Sequence, residues 1–258
     1  MTSTPSTDGG STRSGQTGRR AGLTARFLLA VGQEVGAEVL TPAALTRAVA
    51  SVLPVDGAGL STLMDALRIP LGSSGDAAAQ AEELQTTLGE GPCLDAAERQ
   101  APVALDAVDL AARWPLFSAE LTARTAYRAA ASVPLRAPGG RVFAALDLYT
   151  TSSQLDASLD LTEVDQHLAP PAAALLSTCL DQLHDAEVFA ARPEWYETTA
   201  GRRHNVWVAI GMVMATRPTR TRDALSLMRA HAYTQERSLD DLAADIVAGR
   251  LPATDLTD

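Results

Sequence analysis

Residues 131–149 of this 258-residue chain read ASVPLRAPGGRVFAALDLY, which is the pattern of a β-hairpin. Two mostly apolar runs, 131–135 and 141–149, flank the turn-forming sequence Ala137-Pro138-Gly139-Gly140. The second run contains few charged residues and is therefore expected to be largely buried. A hairpin with one buried arm predicts an antiparallel sheet that is covered by helices.

Strand and helix patterns alternate on the N-terminal side of this hairpin. Thr41 and Pro42 are residue types that cap and open a helix, and Gly89 is a type that ends one. The predicted elements are two helical segments within 21–52, strands at 53–63 and 102–105, a Gly/Ser loop at 70–76, helices at 77–87 and 114–127, and a long helix at 161–190. This order predicts an α+β domain with an antiparallel sheet and flanking helices.

Three short amphipathic helices are predicted near the C-terminus. The first covers about 197–215 and has Trp207 on its apolar stripe, so this side chain is expected in the core. Thr221 and Ser238 are the predicted N-caps of the second and third helices, and Gly249 is the predicted stop. A three-helix domain of this size gains stability by packing on a stalk or a partner, which predicts a homodimer.

The composition excludes several catalytic classes. All 21 basic residues are arginine, because the chain contains no lysine. Phosphate-binding loops of the Walker type, Schiff-base chemistry and protein kinases all require a lysine. No nucleophile-elbow or metalloprotease motif is present, so we predict that the protein is not an enzyme. With neither a secretory signal nor a membrane-spanning apolar run, the chain is expected to be cytoplasmic.

Cysteine, histidine and paired acidic residues give weak signals for a cofactor. Cys93 follows Gly-Glu-Gly-Pro and could attach a chromophore or act as a redox sensor, but a buried structural cysteine is favoured. His167 and His184 lack a second ligand at metal-binding spacing, so no metal and no cofactor are predicted. The pairs Glu82-Glu83 and Asp240-Asp241 are expected to be solvated, because adjacent helical residues diverge by about 100°.

Positive charge is concentrated near the C-terminus of a chain whose net charge is −10. Between Arg202 and Arg237 there are seven arginines and only two acidic residues, Asp223 and Glu236. A local excess of arginine in an acidic protein indicates an anion-binding face.

Two sets of short motifs resemble known families. The first set is Leu88-Gly89-Glu90-Gly91-Pro92-Cys93-Leu94-Asp95-Ala96, Pro102-Val103, Arg113-Trp114-Pro115, Val133-Pro134-Leu135-Arg136 and Leu146-Asp147-Leu148-Tyr149. It resembles the GAF domain of actinobacterial regulators. The second set is Val208-Ala209-Ile210-Gly211-Met212-Val213-Met214, Asp223-Ala224-Leu225, Leu227-Met228-Arg229 and Leu239-Asp240-Asp241-Leu242-Ala243. It resembles the ANTAR domain, which in its family binds paired RNA hairpins and promotes transcription antitermination.

These resemblances imply a domain organisation. The predicted segments are a disordered tail (1–20), a GAF sensory domain (21–160), a long helical stalk (161–195), an all-α three-helix ANTAR domain (196–250) and a C-terminal tail (251–258). A small molecule or a protein is expected to deliver a signal to the GAF domain. The chain is expected to form a homodimer with a coiled coil through the stalk, and its ANTAR domains would then bind paired RNA hairpins in nascent transcripts.

The residues expected to contact RNA carry guanidinium, aromatic, imidazole or amide groups, which bind phosphates and unstacked bases. They are Arg202, Arg203, Arg229, His231, Tyr233, Gln235 and Arg237. Two other interpretations of the same segment stay open at this point. The three helices could form a DNA-binding regulator, or the bundle could be a protein-interaction and dimerisation module that binds no nucleic acid.

Overall fold

The predicted hairpin is present in the computed structural model of the chain, which describes residues 11–36, 39–64, 67–181 and 194–256. The strands are β1 (Gly57–Met64), β2 (Leu67–Ser73), β3 (Val103–Leu105), β4 (Ala129–Arg136) and β5 (Val142–Thr150). The helices before β5 are α1 (Ser11–Val35), α2 (Pro42–Val52), α3 (Asp76–Leu88), α4 (Pro92–Arg99), α5 (Ala107–Arg113) and α6 (Pro115–Arg124). Those after β5 are α7 (Leu161–Glu163), α8 (Ala169–Asp181), α9 (Glu194–Thr216), α10 (Thr221–Thr234) and α11 (Leu239–Val247).

The five strands form one antiparallel sheet in the order β2-β1-β5-β4-β3, with β5 at its centre. In the turn between β4 and β5, the Ala137 N–H donates to the carbonyl of Arg141 over 2.9 Å, and the Gly140 N–H donates to the carbonyl of Ala137 over 3.0 Å. Both glycines of this turn have positive φ angles, 96° and 86°. The α+β prediction with an antiparallel sheet and flanking helices is therefore confirmed.

The two faces of the sheet have different chemistry, because side chains alternate along each strand. The face covered by α2 and α8 is aliphatic. Its buried residues are Ala58, Leu60, Ala131, Val133, Leu135, Ala144, Leu146 and Leu148. The opposite face, covered by α3 and α4, contains polar residues at the intervening positions. Burying polar groups there requires hydrogen bonds that the helices must supply.

Strand β2 differs from the sequence-based expectation, which placed a Gly/Ser loop at 70–76. Pro70 lies within β2 and pairs in register with Ser61 of β1. Proline cannot donate a ladder hydrogen bond, but β2 is at the edge of the sheet, where one side of the strand has no strand partner. The proline and glycine in this segment thus concealed an edge strand.

Residues 161–181, expected to begin a projecting stalk, instead pack on the sheet domain. Helix α8 contacts β4 and buries Leu176 and Cys179. A π-helical segment, Val164–Leu168, precedes α8 because Pro170 and Pro171 have no N–H for the carbonyls four residues earlier. The carbonyl of His167 accepts a hydrogen bond from the Thr24 hydroxyl instead, over 2.6 Å. The remainder of the predicted stalk, 182–193, lies outside the described residues.

The N-terminal segment also differs from the expectation of a tail up to residue 20, since α1 begins at Ser11. Once a helix has formed, each further residue adds one backbone hydrogen bond. The helix formed by the apolar C-terminal part of α1 can therefore continue toward the N-terminus into the polar residues that were expected as a tail. Residues 1–10 lie outside the described part of the chain.

Helices α9, α10 and α11 form the predicted three-helix bundle. Ser238 caps α11 as expected, because its hydroxyl accepts from the Asp241 N–H over 3.0 Å. Thr221 is the first residue of α10 and not its cap, since the preceding residue, Arg220, takes the extended cap conformation. The segment expected as a tail after 250 packs on α9: Leu256 is fully buried, and its carbonyl accepts from Arg217 over 2.6 Å.

The bundle wraps around the β2 edge of the sheet. Helix α9 packs beside β2, while α10 packs on α3. An exposed edge strand is an open template for pairing with another chain, so covering β2 with a helix removes that liability. This placement also brings α10 close to the polar face of the sheet.

Candidate functional site

Five fully buried polar side chains meet between the sheet and α3. We call them the buried polar cluster: Arg68, Glu82, Gln85, Asp147 and Tyr149. Arg68 comes from β2, Asp147 and Tyr149 come from β5, and α3 supplies Glu82 and Gln85 one turn apart. The side chains of both Arg68 and Asp147 are at most 1% exposed. Charged residues are almost never buried to this extent unless they are paired.

Arg68 is the only cation of the buried polar cluster and joins its two carboxylates. Its Nη2 donates to Asp147 Oδ2 over 2.7 Å and also to Glu82 Oε2. Its Nη1 donates to the Glu82 carbonyl over 2.6 Å and to Thr86 Oγ1 over 3.1 Å. The guanidinium thus links two strands and a helix in a region that excludes water.

The other members complete the network around these ion pairs. The Tyr149 hydroxyl donates to Glu82 Oε1 over 2.6 Å, and Ser61 donates to Glu82 Oε2 over 2.7 Å. Gln85 Nε2 donates to the Tyr149 hydroxyl over 2.8 Å. Gly59 makes room for the Glu82 carboxylate, because a Cβ at this position would lie 2.2 Å from it. The sheet surface under α3 is therefore shaped for a buried carboxylate.

Two atoms of the buried polar cluster lack a hydrogen-bond partner within the described residues. They are Arg68 Nε, a donor, and Asp147 Oδ1, an acceptor. Buried polar atoms in native proteins are nearly always satisfied, by water or a ligand where protein groups do not suffice. The Ser132 hydroxyl of β4 also interacts with Asp147, and the Cys93 thiol of α4 with Arg68, so protein groups lie next to both residues.

Burial and the nearby charge of Glu82 raise the pKa of Asp147 from 3.8 to about 7, although Arg68 acts in the opposite direction. Burial also raises the pKa of the Tyr149 hydroxyl well above its ordinary value. An aspartate that titrates near neutrality inside a domain is a group whose charge can respond to its surroundings.

The sequence analysis missed most of this site. It treated Glu82-Glu83 as solvated, yet Glu82 is 1% exposed and paired, and Asp240 of the second acidic pair is also buried at 8%. The neighbouring acid is less buried in both pairs, since Glu83 is half-buried and Asp241 is exposed. One signal was available: Asp147 interrupts an otherwise apolar strand. Arg68 had no comparable signal, since no element was predicted at its position and the rest of its strand, from Pro70 onward, was expected to be a loop.

Cys93 is fully buried beside the cluster, in agreement with the structural cysteine favoured from the sequence. Its backbone N–H donates to Gln85 Oε1 over 3.2 Å. Burial raises the pKa of the Cys93 thiol well above 9.0, more strongly than Arg68 lowers it. The thiolate, which is the reactive form, is therefore suppressed. Among the described residues, no three His, Cys, Asp or Glu side chains are grouped so as to hold a metal ion.

The structure places the predicted RNA-contacting residues in different environments. Tyr233 is 38% exposed, Gln235 is exposed and His231 is half-buried. Arg237 donates to Asp245 over 2.5 Å, within α11. Trp207, predicted in the core, is partly buried against it. The side chains of Arg202 and Arg203 lie outside the described part of the chain.

Arg229 points at the sheet domain. Its Nε donates to the carbonyl of Thr86 over 3.0 Å, at the last turn of α3. A Cβ at Gly89, the residue that ends α3 with a φ of 71°, would lie 2.5 Å from Arg229 Nη1. The guanidinium therefore lies directly on the glycine that terminates α3.

A cleft of about 390 Å³ separates α3 and α6 from the α10–α11 corner. Its walls include Glu83 and Glu120 on the sheet domain and Tyr233 and Arg237 on the bundle. A second cleft of about 750 Å³ on the other side of Arg229 includes Arg141 and Arg222. Arg229 thus lies between two clefts that run along the junction of sheet domain and bundle.

Comparison with known proteins identifies the first of the two domains. Residues 31–181 match the family model of the GAF domain, and the chain therefore belongs to the GAF domain family. The matched range includes α8, which the sequence analysis had assigned to a stalk. It ends before the C-terminal bundle, so the ANTAR resemblance stays a prediction. No curated protein matches the chain.

Several solved structures are similar to the sheet domain. The GAF domain of a phosphoenolpyruvate-protein phosphotransferase from Coxiella burnetii is 18% identical, with a TM-score of 0.45, covering 65% of this chain and 98% of that one. The GAF domain of a putative sensor histidine kinase from Pseudomonas syringae pv. tomato is 21% identical, with a TM-score of 0.41, covering 68% and 97%. The type II free methionine-R-sulfoxide reductase from Thermoplasma acidophilum is 16% identical, with a TM-score of 0.40, covering 59% and 94%.

A GAF domain suggests signal sensing. None of the helices in the described parts of the chain has the length and apolar character needed to cross a membrane.

Proposed function

We propose that this protein is a signal-responsive RNA-binding regulator, in which the GAF domain receives a signal and the C-terminal bundle binds RNA hairpins to promote transcription antitermination. The observation that carries the proposal is the chemistry of the bundle surface. Between Arg217 and Arg237 five arginines stand against two acidic residues, in a chain with a net charge of −10. Three of these arginines make contacts within the protein: Arg217 donates to Leu256, Arg229 to Thr86 and Arg237 to Asp245. Arg220 and Arg222 are exposed, and their charges can attract a polyanion that the rest of the protein repels.

The exposed residues of this surface suit RNA in particular. Arg220 and Arg222 are exposed at the start of α10 and can contact phosphates. Tyr233 and Gln235 are exposed at its other end, where a tyrosine ring can stack on an unpaired base and an amide can bond to a base edge. Loops of RNA hairpins present unpaired bases of this kind, next to a charged stem.

The buried polar cluster is the proposed receiver of the signal. Asp147, whose pKa is raised to about 7, can respond to a proton without any opening of the cluster. A small polar molecule would have to displace α3 to reach Arg68 or Asp147, because both side chains are fully buried. A homodimer would present two bundle surfaces to paired hairpins, which raises the effective concentration of the second surface. We propose no catalytic step for any residue of the cluster.

The proposal is tested by titrating the purified protein with a twin-hairpin RNA and with duplex DNA of equal length, over a salt series. Tyr233→Ala should weaken RNA binding by about 1–3 kcal/mol through lost stacking, while Tyr233→Phe should bind as wild type does. Arg222→Glu should reduce the slope of log K against log salt by about 0.7–0.9 for the lost phosphate contact. The matched control is Arg47→Glu, an exposed arginine of α2 in the GAF domain.

The same titration separates the alternatives. Equal binding to DNA and RNA, with equal sensitivity to Arg222→Glu, would favour a DNA-binding regulator. A stable dimer that binds neither nucleic acid would favour an interaction module, and would contradict the proposal.

A further inference from the structure

Helix α10, which carries three of the seven predicted RNA-binding residues, is docked on α3 of the GAF domain. Arg229 of α10 donates to the carbonyl of Thr86, and Thr86 is fully buried. This carbonyl belongs to the last turn of α3, where the helix dipole places partial negative charge. A guanidinium is well suited to that position, and Gly89 leaves room for it. The contact is thus specific in both charge and shape.

The other end of the proposed RNA-binding surface borders the same interface. Tyr233 and Arg237 line the 390 Å³ cleft, opposite Glu83 and Glu120 of the GAF domain. A cleft of this volume has the size of a small-molecule pocket. An RNA stem cannot enter it. Glu120 is paired with Arg124 over 2.7 Å, but Glu83 of the GAF domain and Glu236 and Asp241 of the bundle also line the cleft and make it unfavourable for phosphate.

We propose that the docking of α10 on α3 is an autoinhibitory contact, in which the GAF domain holds Arg229 away from RNA while Tyr233 and Arg237 stay partly exposed at the edge of the interface. This inference rests on the proposed RNA-binding function and states how that function is regulated. The structure corresponds to the closed state, and RNA binds after α10 leaves α3.

Thr86 connects this contact to the buried polar cluster. Its hydroxyl accepts from Arg68 Nη1 over 3.1 Å and donates to the Glu82 carbonyl over 3.0 Å, while its own carbonyl accepts from Arg229. A signal that draws Arg68 away from α3 therefore acts on the residue that holds Arg229. By linkage, such a signal must bind the undocked state more tightly than the docked state.

The test weakens the contact between α10 and α3 by substitutions in α3 of the GAF domain, so that the proposed RNA-binding residues are unchanged. Thr87→Arg puts a cation into the α3 wall of the cleft at a position that is 8% exposed, near Arg237. Glu83→Arg removes one of the carboxylates of the same wall and is the second variant. Thr122→Arg is the matched control, since it adds the same side chain on the exposed surface of α6.

Two measurements on the full chain are compared: hydrogen exchange of the α10 amides without RNA, and the Kd for the twin-hairpin RNA. We expect faster α10 exchange in Thr87→Arg and Glu83→Arg, with RNA binding at least about ten-fold tighter than in Thr122→Arg. A ten-fold gain means that at most about a tenth of the wild-type protein is open at equilibrium.

Each other outcome overturns the proposal in a recognisable way. Faster exchange with an unchanged Kd would show that docked α10 does not block RNA, and would leave the RNA-binding function standing. Unchanged exchange in both variants would show that this interface does not hold α10. Faster exchange with no RNA binding by any variant or by the wild type would refute the RNA-binding function together with its regulation.

Discussion

Replacing Arg68 with methionine is expected to lower the free energy of unfolding by about 3–5 kcal/mol, the cost of removing one partner from a buried ion pair. Arg68 neutralises Glu82 and Asp147, and all three side chains are at most 1% exposed. Methionine fills similar volume but leaves Glu82 and Asp147 without a cation. Since Arg68 lowers the pKa of Asp147, its loss also forces Asp147 to take up a proton in the folded state. The measurement is the urea midpoint and slope of the purified variant, followed by far-UV circular dichroism.

Two controls separate the loss of charge compensation from the loss of packing. Arg47→Met removes an exposed pair with Glu34, whose side chains are 45% and 31% exposed, and should cost no more than about 1 kcal/mol. The triple variant Arg68→Met/Glu82→Gln/Asp147→Asn removes every charge of the ion pairs. It should recover at least half of the stability lost by Arg68→Met, because no uncompensated carboxylate remains. A triple variant as unstable as the single one would show that packing, and not charge, is the main contribution of Arg68.

The sequence correctly predicted the elements that depend on local apolar patterns, turns and helix caps. The apolar strands around Gly139-Gly140, the Thr41 cap and the Gly89 stop are local features whose physics acts within a few residues. The hairpin, α2 and α3 accordingly appear where they were expected. The small number of charged residues in 141–149 also predicted a buried strand, although not that Asp147 itself is buried.

The candidate site was hidden because it depends on long-range pairing. Arg68 and Asp147 are 79 residues apart, and their ion pair arises only when β2 and β5 join the same sheet. Pro70 and Gly72 gave β2 the composition of a loop, so the cation was never placed opposite the carboxylates. Similarly, Arg229 had a plausible role on a basic surface, and nothing in its neighbourhood revealed Thr86 as its partner.

Stability is expected to fall as the pH rises from 5.5 to 7.5, and Asp147→Asn should remove this part of the dependence. The pKa of Asp147 is raised from 3.8 to about 7, chiefly by burial. Within that window the folded protein holds a proton that the unfolded chain has released, so the folded state is favoured at low pH. This stabilisation is complete below pH 3.8 and is lost as the pH rises through 7.

The expected size follows from about 1.4 kcal/mol for each pH unit, which gives roughly 2 kcal/mol between pH 5.5 and 7. Unfolding by urea at a series of pH values, in wild type and in Asp147→Asn, measures the difference directly. Histidines are common to both proteins and cancel in the comparison. Asp56 and Asp245 have lowered pKa values, because of hydrogen bonds from Thr151 and from Arg237 respectively, so their stabilisation is lost only at a pH below this window.

The groups around Asp147 determine what its proton does to the site. It faces Arg68 of β2, Glu82 of α3, Tyr149 of its own strand and Cys93 of α4. When Asp147 is protonated, Glu82 is the only charged partner of Arg68. The ion pair between Arg68 and α3 is then expected to be at its strongest. When Asp147 is ionised, it competes for Arg68 and draws it toward β5. Parallel pH profiles in wild type and Asp147→Asn would contradict this account, because the titrating group would then lie outside the buried polar cluster.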